Sequence, residues 1–365
     1  MPKKNTSRFF LLIVILLAIS GFLVFGSASL GRLDTENVTF FQVIAKQGFI
    51  LLVGSVGLIL TSNIPYKFWR DYALVVLGLS IITMFLVFIP GLGVTAGGAT
   101  SWVDIGPVNF QPAEFFKLAL VIYWAAWVAS VRQKISSFKW GLLPFMGIIS
   151  IAGAILMAQP DTGTFAVVFL TTMTMFFIAG AKKSHIALAL VIGLVGFALV
   201  VSQKPYIQER LMTFVNPGAD PLDSSYQVNR SLVAIGSGGM FGRGFGQSIQ
   251  KFNLLPEPMT DSIYAVAAEE FGFWGGTTII LLFVLFAVWG FKIAGQAPDI
   301  FSRLLVSGLV ILIVFQSLIN IATMLAVAPL TGLPLIFYSQ GGTALLFALL
   351  EAGIILQVSK HTVKK

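Results

Sequence analysis

The sequence predicts an all-α polytopic membrane protein with about ten transmembrane helices. Of its 365 residues, 57% are hydrophobic and only 10% are charged, whereas an average soluble domain has roughly 25% charged residues. The mean hydropathy is +0.91, and cysteine is absent. A soluble protein of this length needs more polar side chains to cover its surface. The composition therefore excludes a cytosolic enzyme, a disordered chain and a disulfide-built secreted domain.

Ten segments of the chain are long and apolar enough to cross a bilayer, which takes about 20 helical residues. The first follows the basic stretch Met1–Arg8 and lacks a small-residue cleavage site, so we expect a spanning helix and not a signal peptide. The predicted spans cover residues 9–30, 42–62, 72–90, 112–131, 140–158, 164–180, 186–202, 272–294, 302–327 and 341–358. The whole chain, 1–365, is predicted to form a single transmembrane domain.

Lys and Arg residues predict the orientation of these spans. If both termini are cytoplasmic, 15 of the 23 basic residues fall in cytoplasmic segments, and the short outer loops hold only Arg32. Cytoplasmic loops of membrane proteins carry an excess of Lys and Arg, so both termini are predicted to be cytoplasmic. The spread of basic residues over several loops argues against nucleic-acid binding, which needs them gathered on one surface.

Two segments on the outer side are too long to be simple turns. They are the glycine-rich segment Gly91–Gln111 and the extracytoplasmic loop 203–265 between spans seven and eight. The loop alternates aromatic, apolar and charged residues, so it is predicted to be ordered. Residues 228–235 have apolar side chains at helical spacing, typical of an interfacial amphipathic helix or of a capping helix without chemistry. The glycine run 236–246 lacks a phosphate-loop register and predicts a hinge or a close-packed turn.

Ionisable residues inside membrane spans are costly and are functional candidates by default. The residues of this kind are Lys46, Glu114, Lys117, Glu269, Glu270 and Glu351. Glu114 and Lys117 are three positions apart, so they share a helix face and can pair. Two interpretations stay open for this pair. It is either a structural ion pair between helices or part of an outward-opening polar cavity in which Lys117 meets an anionic substrate.

Two aspartates stand near the start of predicted helices. Asp161 lies in the tight turn Gln159–Thr164, where its carboxylate either satisfies backbone donors or takes part in chemistry. Asp261 either caps the helix that follows it or acts as a general base at the edge of the membrane. Thr260 is an equally good cap, and that alternative leaves the Asp261 carboxylate free for catalysis.

A series of short motifs runs through nearly the whole chain. In chain order they are Ser101–Gly106 with Gln111–Glu114 and Lys117; Gln159–Asp161 with Gly163–Thr164; Tyr226–Gln227, Ser231, Ala234–Gly239, Leu255–Glu257 and Thr260–Asp261; Ala265–Val266, Glu269–Glu270 and Gly272; and Gln316, Asn320, Pro329, Thr331–Pro334, Ser339 and Gly341–Gly342. They resemble, in this order, the motifs of the SEDS family, the FtsW/RodA/SpoVE group. The turn Gly246–Lys251 is more similar to the division branch, FtsW, than to the elongation branch. Two positions depart from the family pattern, since Ser262 replaces the usual Phe and Gln340 the usual Tyr.

The resemblance implies a peptidoglycan glycosyltransferase that polymerises lipid II on the outer face of the bacterial cytoplasmic membrane, at the division septum. In this reaction a hydroxyl of the acceptor sugar attacks the anomeric carbon of the donor strand, and a lipid diphosphate leaves. The weak hydroxyl nucleophile needs a general base. The departing diphosphate needs cationic or metal stabilisation. Asp261 is the predicted base by its position in the motif, and the resemblance indicates the same residue.

Twelve residues of the motifs, spans and long loop are predicted to bind the substrate. Lys46 and Lys117 are expected to face its anionic groups, and Trp102 is expected to stack on a sugar ring. The full predicted set is Lys46, Trp102, Gln111, Glu114, Lys117, Gln159, Asp161, Arg230, Arg243, Lys251, Glu257 and Ser339. A divalent ion such as Mg²⁺ commonly pairs with phosphates and one or two carboxylates, although no motif demands one.

The resemblance also implies partners. These are lipid II and the nascent glycan strand, a class B penicillin-binding protein transpeptidase, other division proteins and membrane lipids. Two other functions stay open. A lipid II flippase would also have buried charges and broken helices, although the polar residues gather on the outer side and no inverted repeat is evident. The second of these functions is a scaffold that only recruits other division proteins.

Overall fold

The computed structural model describes residues 3–32, 39–96, 99–105, 108–216, 225–252 and 254–361. Its helices are α1 (Lys3–Ser29), α2 (Phe40–Thr61), α3 (Tyr66–Asp71), α4 (Ala73–Phe85), α5 (Pro112–Ser130), α6 (Leu143–Ala158), α7 (Thr162–Ile178), α8 (Lys183–Gln203), α9 (Pro205–Val215), α10 (Tyr226–Ser237), α11 (Ile263–Gly295), α12 (Ile300–Met324) and α13 (Gly342–Ser359). The strands are β1 (Gly93–Ala96), β2 (Ala99–Ile105) and β3 (Val108–Phe110). Gly106 of the first motif and residues 217–224 and 253 of the long loop lie outside the described residues.

Eight helices in the described part of the chain are long and apolar enough to cross a membrane. They are Asn5–Ser29, Phe40–Thr61, Pro112–Ser130, Phe138–Ala158, Lys183–Gln203, Ile263–Gly295, Ile300–Met324 and Gly342–Ser359. The apolar helices Ala73–Phe88 and Thr162–Ile178 are shorter. Each predicted span overlaps one of these helices, so the multi-pass helical architecture is confirmed. The span count of about ten and the cytoplasmic termini remain predictions.

Helices α12 and α13 lie at the centre of the bundle, and α8 lies at its edge. In the most apolar stretch of each helix, 83% of the residues of α13 and 78% of those of α12 are buried, compared with 6% of those of α8. Helix α2 packs closely on α13, because Gly54 and Gly57 leave room for Leu349 and Leu350. A Cβ added at either glycine would lie 2.5 or 2.7 Å from a leucine methyl group. Small residues let membrane helices approach each other in this way.

The segment before α5 forms a small antiparallel sheet, in the order β1-β2-β3. Val103 at its centre pairs with Gly93 on one side and Phe110 on the other. Along β2 the side chains alternate, since Val103 is buried while Asp104 is exposed. The prediction of a purely helical protein was therefore wrong here. Valine and threonine recur within this glycine-rich stretch, and β-branched residues of this kind are enriched in strands.

The described part of the long loop contains two helices, α9 and α10, between the end of α8 at Gln203 and the start of α11 at Ile263. Helix α10 confirms that the predicted segment is helical, but its buried face is not the predicted apolar one, because Leu232 is exposed. Val228, Ser231 and Ala234 are its buried residues, and they share one face at helical spacing. The loop is thus largely ordered in the part that the structure describes, and it packs on α11.

Helix α11 is broken at Gly272, which has φ 68° and ψ −163°. The glycine turn before it packs directly against the break. The Phe273 amide donates to the Gly239 carbonyl oxygen at 2.8 Å, and a Cβ at Gly272 would lie 2.3 Å from the Gly242 nitrogen. Only glycine fits both the positive φ and the close approach. The glycine run is therefore a close-packed turn, one of the two predicted alternatives.

Candidate active site

Asp261 lies in a tight turn directly before α11. The Thr260 hydroxyl donates to Glu257 Oε2 at 2.7 Å, and the Ser262 amide donates to the Glu257 carbonyl oxygen at 3.1 Å. Ser262 is the N-cap residue of α11. The hypotheses that Asp261 or Thr260 caps this helix were therefore wrong, and the Asp261 carboxylate is left for another role.

The segment after α12 holds the Asp261 turn in place. Asn320 Nδ2 donates both to the Asp261 carbonyl oxygen at 2.8 Å and to the Leu333 carbonyl oxygen at 2.7 Å. The Ser339 hydroxyl donates to the Thr260 carbonyl oxygen. Gly332 faces the carboxylate, because a Cβ added there would lie 3.6 Å from Asp261 Oδ2. Motif residues that are far apart in the sequence thus form one site.

The surroundings of Asp261 make its carboxylate more basic than usual. The side chain is half-buried. Burial, reinforced by the negative charge of Glu257 and opposed by Arg210, raises the pKa of Asp261 from 3.8 to about 6. A general base works best when its pKa lies near the operating pH. At neutral pH this carboxylate is mostly ionised and still accepts a proton far more readily than an ordinary aspartate.

Arg210 on α9 is a positively charged residue that lowers the pKa of Asp261, and it was absent from the predicted substrate-binding residues. Its guanidinium lies 5.8 Å from the centre of the Tyr206 ring, and the Tyr206 hydroxyl donates to the Pro160 carbonyl oxygen at 3.3 Å. These contacts place α9 over the start of α7. The sequence did contain a signal for this arrangement. Pro205 favours the first turn of a helix, and Tyr206 and Arg210, four residues apart, then share one face of that helix.

Several buried polar atoms around Asp261 have no hydrogen-bond partner among the described residues. They include Asn320 Oδ1, Thr331 Oγ1 and Gln340 Oε1. Nearly all buried polar groups in folded proteins are satisfied by protein, water or ligand. Unpaired acceptors and hydroxyls at the edge of a half-buried carboxylate are typical of a site that receives a polar ligand.

Asp161 and Gln159 lie at the start of α7, close to the same segment. The Asp161 carboxylate accepts a hydrogen bond from the Thr164 amide at 2.9 Å, so it satisfies a backbone donor, as one of the two hypotheses expected. Gln159 is buried, and its Nε2 donates to the Met84 carbonyl oxygen at 2.9 Å. Gly163 allows the start of α7 to approach the Thr331 carbonyl oxygen, which lies 2.7 Å from the position of an added Cβ.

Glu114 and Lys117 form a buried ion pair with an N–O distance of 2.8 Å. Lys117 is only 2% exposed and also donates to Gln316 Oε1 on α12. The structure therefore has a structural ion pair within α5 that is buried between helices, and Lys117 does not open outward towards an anionic substrate. Gln111, the N-cap residue of α5, is buried, and its backbone N–H donates to the Thr343 hydroxyl oxygen at 3.1 Å.

Three basic residues of the long loop, Arg230, Arg243 and Lys251, contact other side chains of the protein. Lys251 is fully buried, with Nζ 2.7 Å from Glu270 Oε1. Arg243 lies 3.3 Å from Glu269 Oε1. The expectation that Lys251 faces the substrate is contradicted, because its ammonium has no exposed surface. Arg230 is half-buried, and its guanidinium lies 5.0 Å from the Tyr226 ring centre.

The remaining predicted residues differ in exposure. Trp102 is half-buried on β2, Ser339 is buried, and Lys46 and Glu257 are exposed. Lys46 makes no ion pair with another described residue. In the described ranges, no three His, Cys, Asp or Glu residues lie close enough together to hold a metal ion. The site thus brings together Asp261, Glu257 and Ser339, and it adds Arg210.

The chain is similar in sequence to proteins of one family. Residues 7–364 match the FtsW, RodA and SpoVE family, described as cell cycle protein. Stage V sporulation protein E of Bacillus subtilis is 38% identical over 99% of this chain and 100% of its own length. The probable peptidoglycan glycosyltransferase FtsW of Geobacter sulfurreducens is 34% identical over 95% of this chain and 94% of its own.

Solved structures share the fold. A chain from a study of how a peptidoglycan synthase complex coordinates polymerization and crosslinking superposes with a TM-score of 0.79 at 26% identity, covering 98% of both chains. The rod shape determining protein RodA of Thermus thermophilus superposes with a TM-score of 0.70 at 25% identity, covering 98% of this chain and 97% of that one.

Proposed function

This chain belongs to the FtsW, RodA and SpoVE family, and from that premise we propose that it polymerises lipid II into glycan strands with Asp261 as the general base. Relatives named probable peptidoglycan glycosyltransferase support a glycosyltransferase role. The chain is a multi-pass membrane protein. The proposal places its reaction on the outer face of the bacterial inner membrane, the side on which Asp261 lies if both termini are cytoplasmic.

The observation that carries the proposal is the position of the Asp261 carboxylate. It has no capping role, it faces Gly332 across 3.6 Å measured to an added Cβ, and its pKa is raised to about 6. The Asn320 side chain holds the Asp261 backbone from α12. A half-buried carboxylate with a raised pKa in a rigid setting suits general base catalysis.

In the proposed step, the Asp261 carboxylate accepts the proton of the attacking hydroxyl on the acceptor sugar. The hydroxyl oxygen forms a bond to the anomeric carbon of the donor strand. The bond between that carbon and the diphosphate oxygen breaks, and the lipid diphosphate leaves with the electron pair. The proton on Asp261 then passes to solvent, which restores the base.

Arg210 is the residue proposed to stabilise the departing diphosphate. Its guanidinium is permanently charged and presents donors that match phosphate oxygens. Its positive charge lowers the pKa of Asp261, which supports placing it beside the proposed base. Arg230 and Lys46 remain predicted contacts for the anionic groups, and Trp102 remains the predicted platform for a sugar ring. A divalent ion such as Mg²⁺ is a separate hypothesis that chelation during the assay tests.

An apolar cavity supports a lipid-linked substrate. It has a volume of about 280 Å³ and lies between α7 and α12. Its lining residues are Leu170, Phe315, Leu318, Ile319 and Ala322. Asn320, which holds the Asp261 turn, is on the same part of α12. We assign this cavity to part of the polyprenyl tail, because the tail needs an apolar groove that ends near the reacting diphosphate.

We further place the protein at the division septum with a class B penicillin-binding protein transpeptidase and other division proteins. Relatives named FtsW support the division context. The similar chain from a peptidoglycan synthase complex that couples polymerization to crosslinking supports a transpeptidase partner.

Reconstitution distinguishes this function from its alternatives. The purified full-length chain is placed in liposomes with labelled lipid II, with and without the transpeptidase, and the products are separated by gel electrophoresis. We expect glycan strands. Transbilayer movement of lipid II without polymer would identify a flippase, and neither activity in the presence of the partner would indicate a scaffold.

A further inference from the structure

A buried cluster in the membrane-spanning part of the bundle has unequal numbers of positive and negative groups. Glu114 and Lys117 come from α5, Gln316 from α12 and Glu351 from α13, and all four line one small cavity. All four are at most 5% exposed. Two carboxylates therefore share one ammonium in a region shielded from water.

The two carboxylates differ in their hydrogen bonds. Lys117 Nζ lies 2.8 Å from Glu114 Oε1 and also donates to Gln316 Oε1. The Glu351 carboxylate interacts electrostatically with Lys117 and Glu114, but it receives no hydrogen bond from a described residue. The cavity beside it measures about 10 Å³, roughly the room for a single water molecule.

The cluster needs one more positive charge, from a proton or a metal cation, to become neutral. The other residues that line the cavity are apolar, namely Leu312, Ile313, Ile336, Ala344 and Ala348. If both carboxylates were ionised, the cluster would carry one uncompensated negative charge. An ionised, unpaired carboxylate is strongly disfavoured inside a protein or membrane, and such a group normally takes up a proton instead.

We propose that Glu351 holds this proton and is a neutral carboxylic acid in the folded protein at neutral pH. Glu114 is the ionised partner of Lys117, because it already accepts a hydrogen bond from the ammonium. The site binds one proton, with one water bridging Glu351 to its neighbours across the cavity. This inference does not depend on the proposed polymerase activity.

The cluster is connected to the segment that faces Asp261. Gln316 accepts from Lys117 and donates from Nε2 to the Pro334 carbonyl oxygen at 3.4 Å. Pro334 follows Leu333, whose carbonyl oxygen binds Asn320. Loss of the Glu351 proton would leave a net negative charge beside Lys117, and this network would carry the disturbance to the outer segment.

The chain offers a matched control in a second buried pair. Lys251 and Glu270 are both fully buried and 2.7 Å apart, so Glu270 is needed in its ionised form. Glu270→Gln removes the only carboxylate in that ion pair, and a clear fall in Tm is expected. Glu351→Gln replaces one neutral group by another, and we expect Tm to stay unchanged or to rise.

The test combines infrared spectroscopy with thermal unfolding of the purified full-length chain at a pH well above 6, where Asp261 is ionised. The wild type should show the carbonyl band of a buried protonated acid, and Glu351→Gln should lose it. Glu114→Gln should also lose the band, because Glu351 then ionises to pair with Lys117. The double variant Glu114→Gln/Glu351→Gln leaves Lys117 without a partner and should lower Tm.

Two results would overturn the inference. One is a fall in Tm for Glu351→Gln as large as that for Glu270→Gln, which would mean that Glu351 is ionised. The other is the absence of the acid band together with a wild-type Tm that rises with Na⁺ or K⁺ concentration. In that case a metal cation, and not a proton, balances the cluster.

Discussion

Replacing Asp261 with asparagine is expected to reduce lipid II polymerisation by about 10²- to 10⁴-fold, the usual contribution of a general base. The amide cannot take the proton of the attacking hydroxyl. The fold should survive, because the contact that anchors this residue uses the Asp261 carbonyl oxygen, which accepts from Asn320 at 2.8 Å. Initial rates with purified protein and labelled lipid II measure the effect, and thermal unfolding checks the fold.

Asp71→Asn provides the matched control for Asp261→Asn. Asp71 is exposed at the end of α3, in a segment predicted to be cytoplasmic, so this variant makes the same change of charge outside the proposed site. Its polymerisation rate should equal that of the wild type. Full activity in Asp261→Asn would show that another group accepts the proton and would remove Asp261 from the mechanism.

Arg210→Gln is expected to reduce kcat by roughly 10²-fold, comparable to the loss of one group that stabilises developing negative charge. It should also move the acid limb of the pH profile to higher pH. The positive charge of Arg210 lowers the pKa of Asp261, so its removal raises that pKa and keeps the base protonated over a wider range.

Lys204→Gln is the control for Arg210→Gln, because Lys204 is an exposed cation directly before α9. It should leave both the rate and the pH profile unchanged. If Arg210→Gln behaved like this control, the diphosphate would have to be stabilised elsewhere, and Arg230 or Lys46 would become the leading candidates.

Local sequence patterns were enough to predict the features that depend on neighbouring residues. Hydropathy located the spans, because a membrane helix needs a long apolar run. The spacing of three residues between Glu114 and Lys117 predicted their ion pair, since such residues share a helix face. Helical periodicity likewise predicted α10.

The sheet before α5 was missed for a local reason. Its strands have only 4, 7 and 3 residues, too few for a clear alternation of buried and exposed side chains. The segment was therefore predicted only as a long glycine-rich connection between spans. Burial of Val103 between Gly93 and Phe110 depends on register across three strands, which the sequence does not reveal.

Pairings between distant segments were beyond sequence patterns for a different reason. Arg210 lies near enough to Asp261 to affect its pKa, and Glu351 lines one cavity with Lys117, because separate helices are packed with particular rotations about their axes. Helix rotation depends on contacts such as Gly54 against Leu349. The same argument explains Lys251, which was expected to face the substrate and instead pairs with Glu270 inside the fold.

The pH dependence of kcat/KM for lipid II polymerisation by the wild type and by Glu257→Gln tests the central claim most directly. Asp261 acts as a base only when ionised, so the wild-type rate should rise as the pH passes through about 6. The negative charge of Glu257 raises the pKa of Asp261, so Glu257→Gln should lower that pKa and move the rise to lower pH. The amide oxygen introduced by this substitution can still accept the Thr260 hydrogen bond, which keeps the turn intact. A rise that Glu257→Gln leaves in place, or a rate independent of pH in this range, would contradict Asp261 as the base.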